Sequence, residues 1–157
     1  MPKKKPYPNQ SLKIPQFIIV TSKVCALISS KLVTSYVAKI FTTPRKHKIP
    51  KRELEMDSKS RQSKTHIPSI NKNVVVYEYG KSKNKILLVH GWSGRGTQMF
   101  KIADTLLENG FSVVSFDAPA HGKSVGSTTI MSEFIESIVS MYFSNILLSI
   151  DFTFVVL

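Results

Sequence analysis

The sequence predicts an α/β fold built on an incomplete, doubly wound parallel sheet, preceded by a helix and a basic arm. Apolar runs over residues 86–89 and 111–116 are each followed by a glycine-containing turn and then by a stretch with helical periodicity. Strands that alternate with helices along a chain form parallel sheets with right-handed crossovers. The order of the elements therefore predicts the sheet type.

The positive charge of the chain lies in its N-terminal part. Residues 1–66 contain 15 Lys and Arg against three acids, whereas residues 67–157 contain seven of each. Clustered cations attract polyanions and anionic membranes, but these cations lie outside the sheet pattern, so they bear on partners rather than on chemistry. We expect three segments: a basic and apolar helical segment over residues 1–43, a basic linker over residues 44–66 and a folded domain over residues 67–157.

Residues 16–41 have the spacing of one long helix. Its apolar stripe consists of Phe17, Val20, Val24, Leu27 and Ile28. Lysines interrupt the apolar stretch, so we predict neither a transmembrane span nor a signal peptide. The stripe either docks on the body of the protein or binds an anionic membrane surface through residues 17–41. We expect a cytoplasmic protein, membrane-associated in the second case, and the single cysteine, Cys25, fits a reducing compartment.

Prolines bracket the start of the predicted linker, and residues 51–64 lack an extended apolar periodicity. Alternation over residues 73–79 then predicts a strand. The polar turn at residues 80–84 leads into the apolar run at residues 86–89, so the two strands are expected to pair.

The remaining elements follow from periodicity and turn chemistry. One face of a helix over residues 97–109 is formed by Phe100, Ala103, Leu106 and Leu107. Gly110 stands where a left-handed residue would end this helix. A short buried strand over residues 111–116, a helix over residues 129–143 and a further strand over residues 150–156 complete the pattern.

Two motifs carry a family resemblance. VHGWSGRGTQM and DAPAHGKS together resemble an α/β hydrolase of the serine esterase and lipase superfamily. The resemblance covers Val74 to Ile138 and extends more weakly to Thr43 to Glu53, which is similar to the arm before the domain in some bacterial members. It implies a serine hydrolase that acts on a small-molecule carboxylic ester without a cofactor.

The same resemblance implies roles for the two motifs. The backbone N–H of Trp92 would be an oxyanion-hole donor, worth about 3 kcal/mol of the barrier, with His90 and Gly91 shaping the loop. Trp92 would also line the acyl pocket. Structural roles in the turn after the family's fourth strand would fall to Asp117, His121 and Gly122. In this fold the catalytic histidine follows the nucleophile and the acid, so both histidines come too early for that role.

No catalytic residue is assigned. A literal Gly-x-Ser-x-Gly match at residues 122–126 contains Ser124, but six residues including Pro119 separate Ser124 from the strand end, and no helix follows at once. The family's nucleophile turn would fall at the end of the chain, where the sequence reads Phe154 to Leu157 instead. We therefore expect a hydrolase truncated before its nucleophile and inactive as given.

Other readings of the sequence are weaker. The glycine loop lacks the Lys of a phosphate-binding P-loop and the third glycine of a dinucleotide fingerprint. The four histidines lie far apart, so no metal site is expected. The alternative function is a non-catalytic protein that binds an anionic membrane surface or another polyanion through its basic segment. Nucleic-acid binding is unlikely because aromatic residues do not interleave with the basic run.

Overall fold

A computed structural model describes residues 14–143 and 153–156. The chain divides into two compact units, Met1–Phe41 and Thr42–Leu157. The helices are α1 (Gln16–Ile28), α2 (Ser30–Thr42), α3 (Leu54–Lys59), α4 (Phe100–Glu108) and α5 (Met131–Phe143). The strands are β1 (Arg61–Ile67), β2 (Lys72–Tyr79), β3 (Lys85–Val89), β4 (Ser112–Asp117) and β5 (Thr153–Val156).

The first unit contains two helices, so the prediction of one long helix is wrong. Ser29 has an extended backbone, with φ −163° and ψ 135°, and it ends α1. Its hydroxyl accepts a hydrogen bond from the Lys31 N–H (3.2 Å), which makes Ser29 the N-cap of α2. Neither helix buries a residue. Within the described residues, no helix combines the length and the apolar character needed to cross a membrane.

The described strands form a five-stranded sheet in the order β1-β2-β4-β3-β5. The predicted parallel pairing of β3 with β4 is confirmed, with Leu87 opposite Val114, and β5 also pairs in parallel with β3. The sheet is mixed rather than parallel, because β1, β2 and β4 pair antiparallel to one another in that order.

The expected pairing of β2 with β3 is wrong, since β4 lies between them. A turn over residues 80–84 joins β2 to β3. Five residues can span well over the roughly 10 Å that separates two strands lying on either side of a third. The short turn therefore allows β4 to lie between β2 and β3. The alternation of apolar residues within each strand does not show which strands are neighbours.

The region expected as a linker also differs in the structure. Residues 42–66 belong to the second unit, and β1 pairs with β2 from Arg61 opposite Glu78 to Ile67 opposite Lys72. Most β1 side chains are exposed, whereas Met56 and Ile67 are fully buried. A strand held by backbone hydrogen bonds at a sheet edge can be polar on both faces, so its apolar pattern is absent.

Apolar clusters cover both faces of the sheet, as a doubly wound fold requires. One contains Leu87 and Val89 of β3 together with Phe134 and Met141 of α5. The other contains Ile86 and Leu88 of β3 together with Ala103 of α4. Successive residues of a strand point to opposite faces. The chain leaves α4 at Gly110, whose φ is +81°, and enters β4 two residues later, as predicted.

Candidate active site

The candidate site lies where β3 and β4 end. Because these strands are parallel, the loop after β3 (residues 90–99) and the loop after β4 (residues 118–129) emerge at the same edge of the sheet. Ligands of open α/β sheets bind at this carboxyl edge. The two sequence motifs singled out above supply these two loops.

His90 ties the first loop to the second. Its Nε2 accepts a hydrogen bond from the Ala118 N–H (3.1 Å), and its Nδ1 lies 2.7 Å from the Gly91 carbonyl oxygen. A backbone N–H can only donate, so Nε2 is unprotonated and Nδ1 carries the proton that is donated to Gly91. His90 is buried.

His121 makes the same connection in the opposite direction. Its Nε2 accepts from the Ser93 N–H (3.0 Å), and its Nδ1 lies 2.9 Å from the Pro119 carbonyl oxygen. The same reasoning assigns the Nδ1–H tautomer to His121. Each loop thus contributes one imidazole that holds a backbone N–H of the other loop.

The two imidazoles pack in one aromatic cluster. Their ring centroids lie 5.1 Å apart, and Phe134 of α5 packs edge-on against both, at 5.2 Å from His90 and 5.7 Å from His121. Trp92 packs edge-on against His121 at 5.2 Å and is 40% exposed. The cluster places an aromatic wall beside the first loop, where the acyl pocket was predicted.

Burial keeps both imidazoles neutral. It lowers the pKa of His90 to about 4, against a hydrogen bond to Gly91 that acts in the other direction. Burial likewise lowers the pKa of His121. Each Nε2 faces a backbone N–H, so protonation would place two donors against each other. Both rings therefore act as acceptors that hold backbone N–H groups.

Asp117 fixes the end of β4. Its carboxylate is fully buried and accepts hydrogen bonds from the Gly96 N–H (2.7 Å), the Lys123 N–H (2.7 Å) and the Tyr77 hydroxyl (2.8 Å). Burial, followed by the Asp117 charge, raises the pKa of Tyr77, which keeps this hydroxyl a donor. One side chain thereby binds β2 and both loops.

Glycine at position 122 is required by this arrangement. Gly122 has φ +43°, and a Cβ built there would overlap the Asp117 carboxylate. Glycine has no Cβ and adopts positive φ without cost. A side chain at position 122 would therefore displace the Asp117 carboxylate.

Two residues that are not glycine have a left-handed backbone at the site. They are Ser93, with φ +58°, and Ala120, with φ +62°. Such conformations cost on the order of 1 kcal/mol each and concentrate at functional sites. The hydrogen bond from the Ser93 N–H to His121 holds the first of these turns in place.

Ser124 is engaged with backbone. Its hydroxyl donates to the Asp117 carbonyl oxygen (2.5 Å) and accepts from the Val75 N–H (2.8 Å), and the side chain is 2% exposed. A nucleophile has to reach substrate, whereas this hydroxyl joins β2 to β4.

Sequence reasoning missed a segment that crosses the same edge. We call residues 42–53 the strap. The Arg45 N–H donates to Ser93 Oγ (3.0 Å), and Lys46 Nζ donates to the Ser124 carbonyl oxygen (2.7 Å). The Thr129 N–H donates to the Thr42 carbonyl oxygen (2.8 Å).

The far end of the strap is held by a buried carboxylate. Glu53 is 2% exposed, accepts from Thr97 Oγ1 (2.9 Å) and lies 3.5 Å from the largely buried Arg95 Nε. Buried carboxylates need such partners. Glu53 is the first acid in the chain and ends the Thr43–Glu53 segment that resembles the family's arm, and these two features were the signals in the sequence that pointed toward the strap.

Clusters of metal-ligating side chains can be assessed for residues 14–143 of the chain. No group of three or more His, Cys, Asp or Glu side chains is arranged to hold a metal ion there. His66 lies on β1, 3.0 Å from Asn73 Oδ1, and makes no contact with the loop histidines.

Comparison with known proteins shows which fold the chain has. No protein-family profile and no curated protein sequence matches the chain. Among solved structures, the chain is similar to the Pyrococcus furiosus esterase Pf2001, with TM-score 0.59 and 18% identity over 73% of this chain and 46% of the esterase.

Further solved structures agree. An epoxide hydrolase mutant from Vigna radiata has TM-score 0.51 and 16% identity, covering 63% of this chain and 31% of the enzyme. The thioesterase domain of the curacin biosynthetic pathway has TM-score 0.50 and 17% identity, covering 62% and 36%. The chain thus has the α/β-hydrolase fold and spans less than half the length of these proteins.

Proposed function

We propose that the sheet unit is the N-terminal half of a serine hydrolase domain that acts on carboxylic esters of small molecules. The observation that carries the proposal is the position of His90-Gly91-Trp92 immediately after β3, in a sheet of order β1-β2-β4-β3-β5. This half-domain begins with β1 rather than at Ile67. The similarity to an esterase fold supports the ester as substrate class.

In this proposal the chain supplies the groups that bind the carbonyl oxygen and the acyl part of the substrate. The Trp92 backbone N–H would stabilise the negative oxygen of a tetrahedral intermediate, and the Trp92 ring would contact the acyl group. The imidazoles of His90 and His121 hold the loop, because each accepts a backbone N–H of the opposite loop. Preorganised donors of this kind cost no reorganisation during the reaction.

The nucleophile, the triad acid and the triad histidine would come from outside these 157 residues, so the chain alone would be inactive. The direct test reads the genomic DNA beyond the Leu157 codon in all three frames. The proposal expects a Gly-x-Ser-x-Gly motif followed by an acid and a histidine. Short-chain ester hydrolysis by the purified chain that disappears in Ser124→Ala would contradict it.

A second candidate function concerns α1. Its apolar stripe is exposed, from 50% at Val24 to 88% at Leu27, and residues 1–52 contain no acid. An acid-free helix with an exposed apolar face suits an anionic membrane surface. This candidate would make the protein a cytoplasmic, membrane-associated one.

Vesicle binding tests the second candidate. The chain should cosediment with phosphatidylserine-containing vesicles at low salt and not with neutral ones. Replacing Lys23, Lys31 and Lys39 by Glu should abolish binding. The same replacement at Lys81 and Lys83 in the turn between β2 and β3 should leave it unchanged. Failure to bind anionic vesicles at low salt would exclude this function.

A further inference from the structure

The strap places a concentration of positive charge at the candidate site. Between Pro44 and Pro50 it reads Arg-Lys-His-Lys-Ile, and the side chains of residues 45–48 are exposed. Arg45 lies against the site, because its backbone N–H is bound to Ser93, the residue after Trp92. A flexible guanidinium that begins at this point can reach a ligand over the loop.

These cations are not neutralised by nearby acids. Residues 90–99 and 118–129 contain no Asp or Glu. Within the described residues, Arg45 and Lys48 form no ion pair, while Lys123 is paired with Asp57 (2.6 Å). Four acids contact the two loops: Glu53 and Asp117 are buried and occupied by their own donors, while Asp57 is paired with Lys123 and Glu133 with Lys72. The edge therefore presents a positive field to an incoming ligand.

The anchoring of the strap fixes the backbone from which these charged side chains project. Both of its ends are held to the two loops, at Thr42 by the Thr129 N–H and at Glu53 by the Thr97 hydroxyl. Pro44 is buried, which fixes the backbone next to Arg45. A cationic side chain on an anchored backbone loses less conformational entropy when it binds an anion than a cationic side chain on a free tail does.

We propose that the strap selects small apolar substrates bearing an anionic group, a phosphate or a carboxylate, which Arg45 binds at the mouth of the His90–Gly94 loop. This proposal deepens the hydrolase function above and rests on it for the reacting group. Guanidinium binds both anions in a bidentate manner. The apolar part of such a ligand would lie against Trp92.

Trp92 reports binding directly, since it is the single tryptophan of the chain. The full chain is titrated at low salt with hexyl phosphate, hexanoate and uncharged hexyl acetate, and Trp92 emission is recorded. We expect hexyl phosphate, hexanoate or both to bind more tightly than hexyl acetate, by up to about five-fold, which corresponds to one exposed charge contact. The two anion arms distinguish a phosphate from a carboxylate preference.

Two variants test whether Arg45 provides the positive charge that binds the anion. Arg45→Gln keeps the backbone N–H that binds Ser93, and it should weaken anion binding by up to about five-fold without affecting hexyl acetate. Lys83→Gln, an exposed change in the turn at the opposite end of β3, should have no effect. Flat titrations with both anions, equal affinity for charged and uncharged probes, or equal losses in both variants would overturn the proposal.

The outcome is separable from that of the hydrolase proposal. Anion binding through Arg45 with no nucleophile motif encoded downstream would retain the site and end the hydrolase assignment. A nucleophile motif encoded downstream together with flat anion titrations would retain the hydrolase assignment and end the proposal of an anion site at Arg45.

Discussion

Two segments that were predicted from their apolar residues, α1 and β4, differ completely in burial. All six residues of β4 are buried, whereas none of the 13 residues of α1 is. The strand has β2 and β3 on either side and an apolar cluster on each face. Burial is therefore set by the partners that the topology supplies, and an apolar sequence alone does not reveal it.

The contrast extends to polar residues. Asp117, Glu53, His90 and His121 are all buried around the carboxyl edge of the sheet, and each has hydrogen-bond partners from another segment. Buried polar groups are stabilising only when they are paired. The sheet unit should therefore be sensitive to changes at these positions, and the helical unit should be tolerant.

The largest expected effect comes from Asp117→Ala. It leaves the Gly96 and Lys123 N–H groups and the Tyr77 hydroxyl without their acceptor. We expect the free energy of unfolding to fall by about 4 kcal/mol, measured by urea denaturation followed at Trp92. Tyr77→Phe removes one donor and should cost about 1 kcal/mol. A loss below 1 kcal/mol in Asp117→Ala would contradict the role of this side chain.

Acid should weaken the sheet unit next most strongly. The pKa of His90 is lowered to about 4 in the folded chain from an ordinary value of 6.5. The unfolded state then binds more protons, so stability is complete above pH 6.5 and falls by roughly 3 kcal/mol as the pH is lowered to 4. Denaturation curves across this range should show the loss, and His66→Gln should show it equally. A pH-independent midpoint would be inconsistent with buried neutral imidazoles.

A matched pair of valines tests the comparison between β4 and α1. Val114 is fully buried in β4, whereas Val24 is 50% exposed in α1. Val114→Ala should lower the free energy of unfolding by about 2 kcal/mol through the lost contacts and the cavity. Val24→Ala should change it by less than about 0.5 kcal/mol. Urea denaturation followed by circular dichroism, which reports both helix and sheet content, measures both values. Equal losses of stability in the two variants would contradict the difference between β4 and α1.

The smallest effect concerns Ser124. Ser124→Ala leaves the Val75 N–H without its acceptor, so we expect a loss of about 1.5 kcal/mol by urea denaturation. The exposed Ser58→Ala, whose hydroxyl donates to the Glu55 carbonyl oxygen, serves as control and should be nearly neutral. If Ser124→Ala were as neutral as the control, the serine would not hold β2 to β4.

Local chemistry made much of the sheet unit predictable. The apolar runs of β3 and β4, the helical face of α4 and the positive φ of Gly110 depend on neighbouring residues only. The structure adds that the two motifs meet, because the parallel strands β3 and β4 bring their carboxyl ends to one edge. The oxyanion role of the Trp92 N–H and the domain boundaries stay predictions.

The missed features depend on contacts between distant residues. β1 is polar and is recognised only by its pairing with β2. The strap is held by bonds such as that from Thr97 to Glu53, 44 residues apart. The break at Ser29 is an exception, since a serine cap is local, but the apolar stripe over residues 17–28 favoured a helix that continued past it. Sequence periodicity detects buried faces and is silent about polar segments that pack through hydrogen bonds.

The reciprocal histidine contacts are the centre of this account, and nitrogen NMR of the imidazoles tests them most directly. At pH 7, His90 and His121 should both show a protonated Nδ1 and an unprotonated Nε2, because each Nε2 accepts a backbone N–H. Exposed His47 and His66 serve as internal references. Nε2–H tautomers, or rapid averaging at both loop histidines, would contradict the cross-tied loops.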